Sequence, residues 1–248
     1  MIRFRGLEKT LDGRKILDGV DLEIPLGKIT AILGVSGGGK TVTLKHMIGL
    51  MKPEAGEVEV DGQVLGSLAP KELNKLRTRF SMLFQGGALF DSLNVADNVA
   101  FPLREKTKLK EDVIQRRVNT CLKQVNLGKM GFKFPDELSG GMMKRAALAR
   151  AMVTNPEILL LDEPTAGLDP IIERSIHHLI CDTYLRFRYT MVLISHSVPE
   201  IFRWSHHVVV LHQGKVLEAG PSIDIANSDN PVIRQFLTGS LEGPIKVI

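Results

Sequence analysis

The residues Gly34-Val35-Ser36-Gly37-Gly38-Gly39-Lys40-Thr41 carry the spacing G-x-x-x-x-G-K-[ST]. Glycines at such a turn let successive backbone N–H groups face inward and form a concave anion site. Lys40 can reach the β- and γ-phosphates of a nucleotide, and the Thr41 hydroxyl can ligate Mg²⁺. A second set closes the apolar run Ile158-Leu159-Leu160-Leu161 with two acids, Asp162 and Glu163. An aspartate at the C-terminal end of a buried parallel strand sits where such sheets bind ligands. There Asp162 can hold Mg²⁺, directly or through water, and Glu163 can orient or deprotonate an attacking water. Alone, the acids read as a solvated strand end. Beside the cradle they describe a nucleoside triphosphatase.

These residues need a strand before the glycines and a helix after them. Lys28–Leu33 reads as the buried strand, and Lys40–Leu50 as the helix, with Leu44, Met47, Ile48 and Met51 on one face. The helix start adds roughly half a positive charge to the anion site. Upstream, Met1–Leu7, Lys15–Leu17 and Val20–Ile24 read as antiparallel strands separated by the turns Asp12-Gly13 and Asp18-Gly19. Gly56–Gln63 is a further turn-bounded strand. Helices are expected at Pro70–Arg77, Val95–Val99, Glu111–Val125 and Gly140–Thr154, with a strand at Arg79–Phe84. Alternation then resumes: strands at Ile158–Leu161, Met191–Ile194, Val208–Leu211 and Lys215–Ala219, helices at Ile171–Leu185 and Pro199–Trp204. Strands separated by helices argue for a mostly parallel sheet covered on both faces. The expected fold class is α/β: a nucleotide-type core, an N-terminal antiparallel β subdomain and an inserted helical subdomain.

Composition agrees and adds limits. The chain has 248 residues, 24% charged, 44% hydrophobic and 5% aromatic, which is globular composition with ample length for a core. Its net charge of +4 is too small to imply nucleic acid. Cys121 and Cys181 fit no metal-ligand spacing and suggest a reducing compartment. The first residues carry no stretch suited to a signal peptide, and no run is long enough to span a bilayer. Composition alone thus points to a soluble cytosolic α/β domain.

Between and after the two motifs lie residues that narrow the class. Leu138-Ser139-Gly140-Gly141-Met142-Met143-Lys144-Arg145 resembles the LSGGQ signature of the ABC ATPase family. Gln85 resembles that family's Q-loop, Ala166-Gly167-Leu168-Asp169 its D-loop, and His196 in Ile194-Ser195-His196 its switch histidine. With the cradle and the strand acids, the likeness covers nearly the whole chain. Ser139 is a good N-cap and Gly140-Gly141 leaves N–H groups uncovered, so the signature is a second anion site; a capped surface helix is the alternative. The resemblance implies a head-to-tail homodimer, in which Ser139, Gly140 and Gly141 of one copy cover the γ-phosphate of ATP held by the other. It also implies Mg²⁺ held by Thr41, Asp162 and Gln85, water activated by Glu163, and a γ-phosphate contact from His196. Residue by residue, Gly34, Ser36, Gly37, Gly38, Gly39, Lys40 and Thr41 cradle ATP, and Asp169 sits at the dimer seam. Asp169 also reads as the N-cap of the helix near Pro170, and His196 alone as a core histidine ending a strand. This chain departs from the family pattern in three places. Met142 replaces the signature glutamine, Val42 follows Thr41 where a hydroxyl is common, and no aromatic stands near Leu11, where one stacks on adenine.

One cradle and one signature make half of a two-site engine. The apolar segment Met82–Val99 contains Leu89, Phe90 and Leu93, which with Phe101 would line a groove for a short helix of a membrane subunit. Packing of the insertion onto the sheet is the alternative for some of these side chains. Within the family, Ser81–Phe90, Asn98–Arg104, Leu138–Met142 and Arg145–Ala151 are similar to the ATPase subunits of Mla-type, MCE-linked phospholipid transporters. That resemblance implies an inner-membrane permease, a periplasmic MCE-domain protein and a small STAS-domain protein as partners, and a place on the cytoplasmic face of a bacterial inner membrane. It also implies transport of phospholipid between inner and outer membranes. ATPases of other small-solute ABC transporters and soluble cluster-assembly ATPases stand as alternatives.

The domain reading is residues 1–238 for the ATPase, with the helical insertion at about 86–155, and 239–248 for a C-terminal tail. Asn230-Pro231 starts a helix with Val232, Ile233, Phe236 and Leu237 as its apolar face. The tail beyond Gly239 is expected on a second subunit, a frayed end being the alternative. The pairs His177-His178 and His206-His207 diverge and make no shared metal site. Lys106, Lys108, Lys110, Arg116 and Arg117 read as a solvated basic face.

Overall fold

The computed structural model describes residues 1–195 and 198–246, without the side chains of Val198 and Pro199. In chain order the elements begin with β1 (Ile2–Leu11), β2 (Arg14–Ile24), β3 (Ile29–Leu33), α1 (Lys40–Met47), β4 (Ala55–Val60), β5 (Gln63–Val64) and α2 (Pro70–Arg77). Next come β6 (Phe80–Leu83), α3 (Val95–Lys106), α4 (Glu111–Gln124), α5 (Gly140–Met152), β7 (Ile158–Asp162) and α6 (Pro170–Phe187). The chain ends with β8 (Thr190–Ile194), α7 (Val198–Ile201), β9 (His207–His212), β10 (Lys215–Pro221), α8 (Ser222–Ala226) and α9 (Pro231–Thr238). These elements fall into two compact units, Met1–Lys75 with Thr190–Ile248, and Leu76–Tyr189.

In the first unit an antiparallel sheet runs β2-β1-β4-β5. Ile2 stands opposite Ile24 and Phe4 opposite Leu22, all four buried. The hairpin turns at Asp12 and Gly13, with φ of 50° and 75°. Two successive positive φ values are what a two-residue hairpin needs, and Asp-Gly supplies them. Strand β1 runs on past the expected Met1–Leu7, the expected Lys15–Leu17 and Val20–Ile24 are one strand, β2, and the expected Gly56–Gln63 divides into β4 and β5. The register slips between Phe4 and Leu7 and between Leu7 and Lys9, where Gly6 and Gly19 adopt φ of 54° and 65°. These bulges let one strand continue through what reads locally as a break.

The unit's second strand set runs β10-β9-β3-β8, with β3 parallel to both β8 and β9 and β10 antiparallel to β9. Every residue of β3 and β8 is buried. Uniformly apolar strands of this kind belong to parallel arrangements whose two faces are both covered.

In the second unit β6 and β7 run parallel, Phe80 opposite Ile158 and Leu83 opposite Leu161. Helix α3 extends to Lys106, past the expected end at Val99, although Pro102 lies inside it. The proline removes one backbone bond. The buried face of Val95, Val99, Ala100 and Leu103 continues across it and holds the helix. Conversely α7 is only four residues, Val198–Ile201, shorter than the expected Pro199–Trp204, and α8 was not foreseen. Both cysteines are free, and burial pushes each thiol up to about 11. Among the described residues, no helix is long and apolar enough to cross a membrane.

Candidate nucleotide site

The cradle lies wholly in the first unit and is built by backbone. β3 delivers the chain into Gly34 at φ 148°, where a Cβ would stand 2.2 Å from the carbonyl oxygen of Leu211. Gly39 caps α1 at φ 92°, and a Cβ there would meet Leu17 Cδ2 at 2.8 Å and the Ile16 carbonyl oxygen at 2.9 Å. No side chain fits at either position. Gly37 has φ 74° with open space around it, so only its conformation demands glycine. Ser36 and Gly37 are exposed and form the open rim, while Gly38 and Gly39 are buried. Lys40 is 6% exposed; its Nζ donates to the carbonyl oxygens of Gly34 and Val35 at 2.9 Å each. The first turn of α1 holds no acidic residue, so nothing there opposes an anion. Thr41 and Val42 follow, both half-buried, and Leu11 ends β1 half-buried at the hairpin.

The acids lie in the second unit. Asp162 closes β7 and is buried at 3% exposure. Glu163 follows in left-handed backbone at φ 47°. That conformation is costly for a residue with a Cβ, and it turns the chain sharply after the strand. Gln85 lies just beyond β6, and its Nε2 donates to Glu163 Oε2 at 2.7 Å. The strand register explains the meeting. Leu83 pairs with Leu161, so two positions further on each strand bring Gln85 beside Glu163. Lys144 of α5, itself buried, donates to the main-chain carbonyl of Gln85. Burial pulls the Lys144 ammonium below its ordinary pKa, and the charges of Glu163 and Asp162 oppose that shift.

The signature occupies another corner of the same unit. Ser139 caps α5, its hydroxyl accepting from the Met142 amide at 3.3 Å. Asp169 caps α6, accepting from the amides of Ile171 and Ile172 at 3.1 and 3.0 Å. The two caps adjoin. A Cβ on Gly140 would touch Leu168 at 3.4 Å, and one on Gly141 would stand 2.6 Å from Ile172 Cγ2. Gly140 is exposed, whereas Gly141 is half-buried and has a packing reason to be glycine that the sequence reading missed. His196 lies outside the described residues. His177 and His178 diverge, one buried and one exposed. No cluster of three His, Cys, Asp or Glu suited to a metal occurs among the described residues.

The apolar segment after Gln85 is held by two residues to which the sequence alone assigns no role. Arg150 donates to the carbonyls of Gly87 and Ala88 at 2.7 Å each and lies 5.9 Å over the Phe90 ring. Asn98, fully buried, takes the Phe90 amide at 2.8 Å and donates to the carbonyls of Phe90, Leu93 and Asn94. The only available signal was polarity: an arginine and an asparagine at positions where their helices otherwise bury apolar side chains. On this support Phe90 and Phe101 stay 43% and 37% exposed, their rings 4.8 Å apart, with Leu89 and Leu93 half-buried.

Sequence and structure comparisons agree on the class. The family described as ABC transporter matches residues 17–166. The chain is 44% identical over 98% of its length to the "Probable ribonucleotide transport ATP-binding protein mkl" of Mycobacterium leprae, covering 70% of that protein. It is 40% identical over 99% of its length to the intermembrane phospholipid transport system ATP-binding protein MlaF of Escherichia coli, covering 91% of it. Among solved structures, a dimeric ATP-binding cassette in a post-hydrolysis state with ADP and Pi is similar. It shares 30% identity and a TM-score of 0.81, over 90% of this chain and 99% of that one.

Proposed function

The chain belongs to the ABC transporter family as an ATPase subunit, and from that premise we propose that it powers a phospholipid transporter of the Mla type. The observation that carries the cargo is the likeness to the E. coli phospholipid-transport ATPase along 99% of this chain and 91% of that one. In this reading Gly34, Ser36, Gly37, Gly38, Gly39 and Lys40 grip the phosphates of ATP, with inward amides and one ammonium as donors. Thr41, Asp162 and Gln85 offer hydroxyl, carboxylate and amide oxygens, a hard donor set that suits Mg²⁺. Bound there, Mg²⁺ offsets phosphate charge. Glu163 accepts the proton of the attacking water, and His196 hydrogen-bonds the γ-phosphate.

Two copies act head to tail. Ser139, Gly140 and Gly141 of one copy complete the phosphate site of the other, and Asp169 lies at the seam. Residues 1–238 form the ATPase with its helical insertion at about 86–155. The tail, 239–248, packs on the second subunit. Bonds within residues 235–245 support this: Gln235 Nε2 donates to the Ser240 and Ile245 carbonyls at 3.2 and 2.9 Å, and Gln235 Oε1 accepts from the Ile245 amide at 2.6 Å. Leu241 is left 82% exposed for a partner. The exposed rings of Phe90 and Phe101 receive a short helix of an inner-membrane permease. A periplasmic MCE-domain protein and a small STAS-domain protein complete the assembly, and the ATPase sits on the cytoplasmic face of the inner membrane.

Purification of the tagged chain from detergent-solubilised membranes tests the reading. A co-purifying permease carrying bound phospholipid is the expected result. A permease carrying nucleotides, as the mycobacterial relative's name would suggest, or a wholly soluble partner set would overturn the cargo assignment.

A further inference from the structure

Ala88 stands at φ 49° directly after Gly87 at φ 76°. The left-handed region is open to glycine but costs a residue with a Cβ, so the second half of this turn is strained. Such a conformation persists only where its surroundings hold it. Among the described residues one side chain hydrogen-bonds both of these positions. Arg150, near the end of α5, donates through Nη2 to the Gly87 carbonyl and through Nη1 to the Ala88 carbonyl, at 2.7 Å each. Both prongs of a planar guanidinium are thus spent on the two left-handed residues, and the same group lies 5.9 Å over the Phe90 ring. No carboxylate among the described residues pairs with Arg150, and burial pulls its pKa below the ordinary value. A half-buried cation without a counter-charge is costly, and here the cost is offset by a backbone turn and a ring.

The far side of the segment is fixed separately. Asn98 holds the main chain at Phe90, Leu93 and Asn94. It makes no hydrogen bond to Gly87 or Ala88, so with Asn98 alone the strained turn would be free to relax. We propose that Arg150 is a positioning residue for permease docking: it holds Gly87 and Ala88 in the left-handed turn that sets the Phe90 ring beside Phe101. The proposal rests on the docking role given above to those two rings. It also gives α5 work at both ends. Ser139 caps the first turn, and about 16 Å further along the axis Arg150 grips the segment that would meet the permease.

Arg150→Met keeps an apolar stem and removes both donors, and Ala88→Gly removes the strain that those donors oppose. The expected result is a rescue. In the chain alone, a para-fluorinated phenylalanine in place of Phe101 reports the Phe90 ring, 4.8 Å away, and Phe90→Leu gives the fluorine line without that ring. Arg150→Met moves the line toward the Phe90→Leu position, Ala88→Gly alone leaves it in place, and the double variant brings it back by about half or more. In the detergent purification described above, Arg150→Met lowers the permease retained per chain about tenfold, as loss of a charge-assisted pair of bonds. Ala88→Gly alone changes retention less than about twofold, and the double variant regains about threefold. A guanidinium that only fills space predicts the opposite sign, because glycine would loosen the turn further. A double variant no better than Arg150→Met in either readout overturns the proposal, and so does an unmoved line in Arg150→Met. If Arg150→Met does not fold, Arg150→Lys, with a single ammonium in place of the fork, is measured against the same expectations. Phe90→Asp run in parallel separates the two claims. Undiminished retention there sinks the docking reading, whereas lost retention there with full retention in Arg150→Met sinks only this inference.

Discussion

In the proposed function the cradle takes an anion and the acid corner a cation, opposite electrostatic problems met with the same residue type. Each is organised on a buried lysine that donates to main-chain carbonyls: Lys40 to Gly34 and Val35, Lys144 to Gln85. The cradle is made by consecutive residues, because an anion asks for N–H groups and every peptide unit has one. The acid corner draws on Gln85, Lys144 and Glu163, separated by 59 and 78 positions from Gln85. A cation asks for carboxylates, which repel one another and must be brought together and balanced by side chains from several elements. Anion sites can therefore be local, while cation sites have to be assembled.

That contrast can be broken at either end. The largest expected effect is at the acid corner. Glu163→Gln should slow ATP turnover on the order of 10²-fold or more, while a filter-binding or fluorescence assay finds ATP affinity within about twofold. Comparable loss of affinity would mean that the corner and the cradle are not separate in function. Next, Gly34→Ala puts a methyl against the Leu211 carbonyl, and a drop of about 2 kcal/mol in unfolding free energy is expected by denaturant titration. Gly37→Ala, with space around it, should cost about 1 kcal/mol, from backbone conformation alone. Equal effects at the two positions would remove the packing argument for Gly34. The smallest effect tests the missing base platform. Leu11→Tyr at the β1 end should tighten ATP by about two- to tenfold in the same binding assay, since a stacked ring is worth roughly 1 kcal/mol. No change would mean that adenine lies away from this hairpin.

The same contrast explains what was legible in the sequence. The spacing of Gly34, Gly39 and Lys40 contains the cradle, because the site is eight consecutive residues. The caps Ser139 and Asp169 are equally local and stand where the sequence puts them. Gln85 against Glu163 depends on the register of β6 with β7, which no local pattern encodes. Lys144, Arg150 and Asn98 escaped for the same reason: their partners are main-chain carbonyls of a distant or irregular segment. The fold misses were also non-local. Helix α3 passes through Pro102 because its buried face outweighs the lost backbone bond, and β1 and β2 run on through Gly6 and Gly19 because bulges absorb the slip.

The absence of a Cβ at Gly141, which would stand 2.6 Å from Ile172 Cγ2, lets the opening turns of α5 and α6 lie close together. A larger side chain at position 141 would therefore push against Ile172 in the first turn of the helix that Asp169 caps. On the proposed head-to-tail pairing, such a residue would disturb both turns that face the partner's phosphates at once.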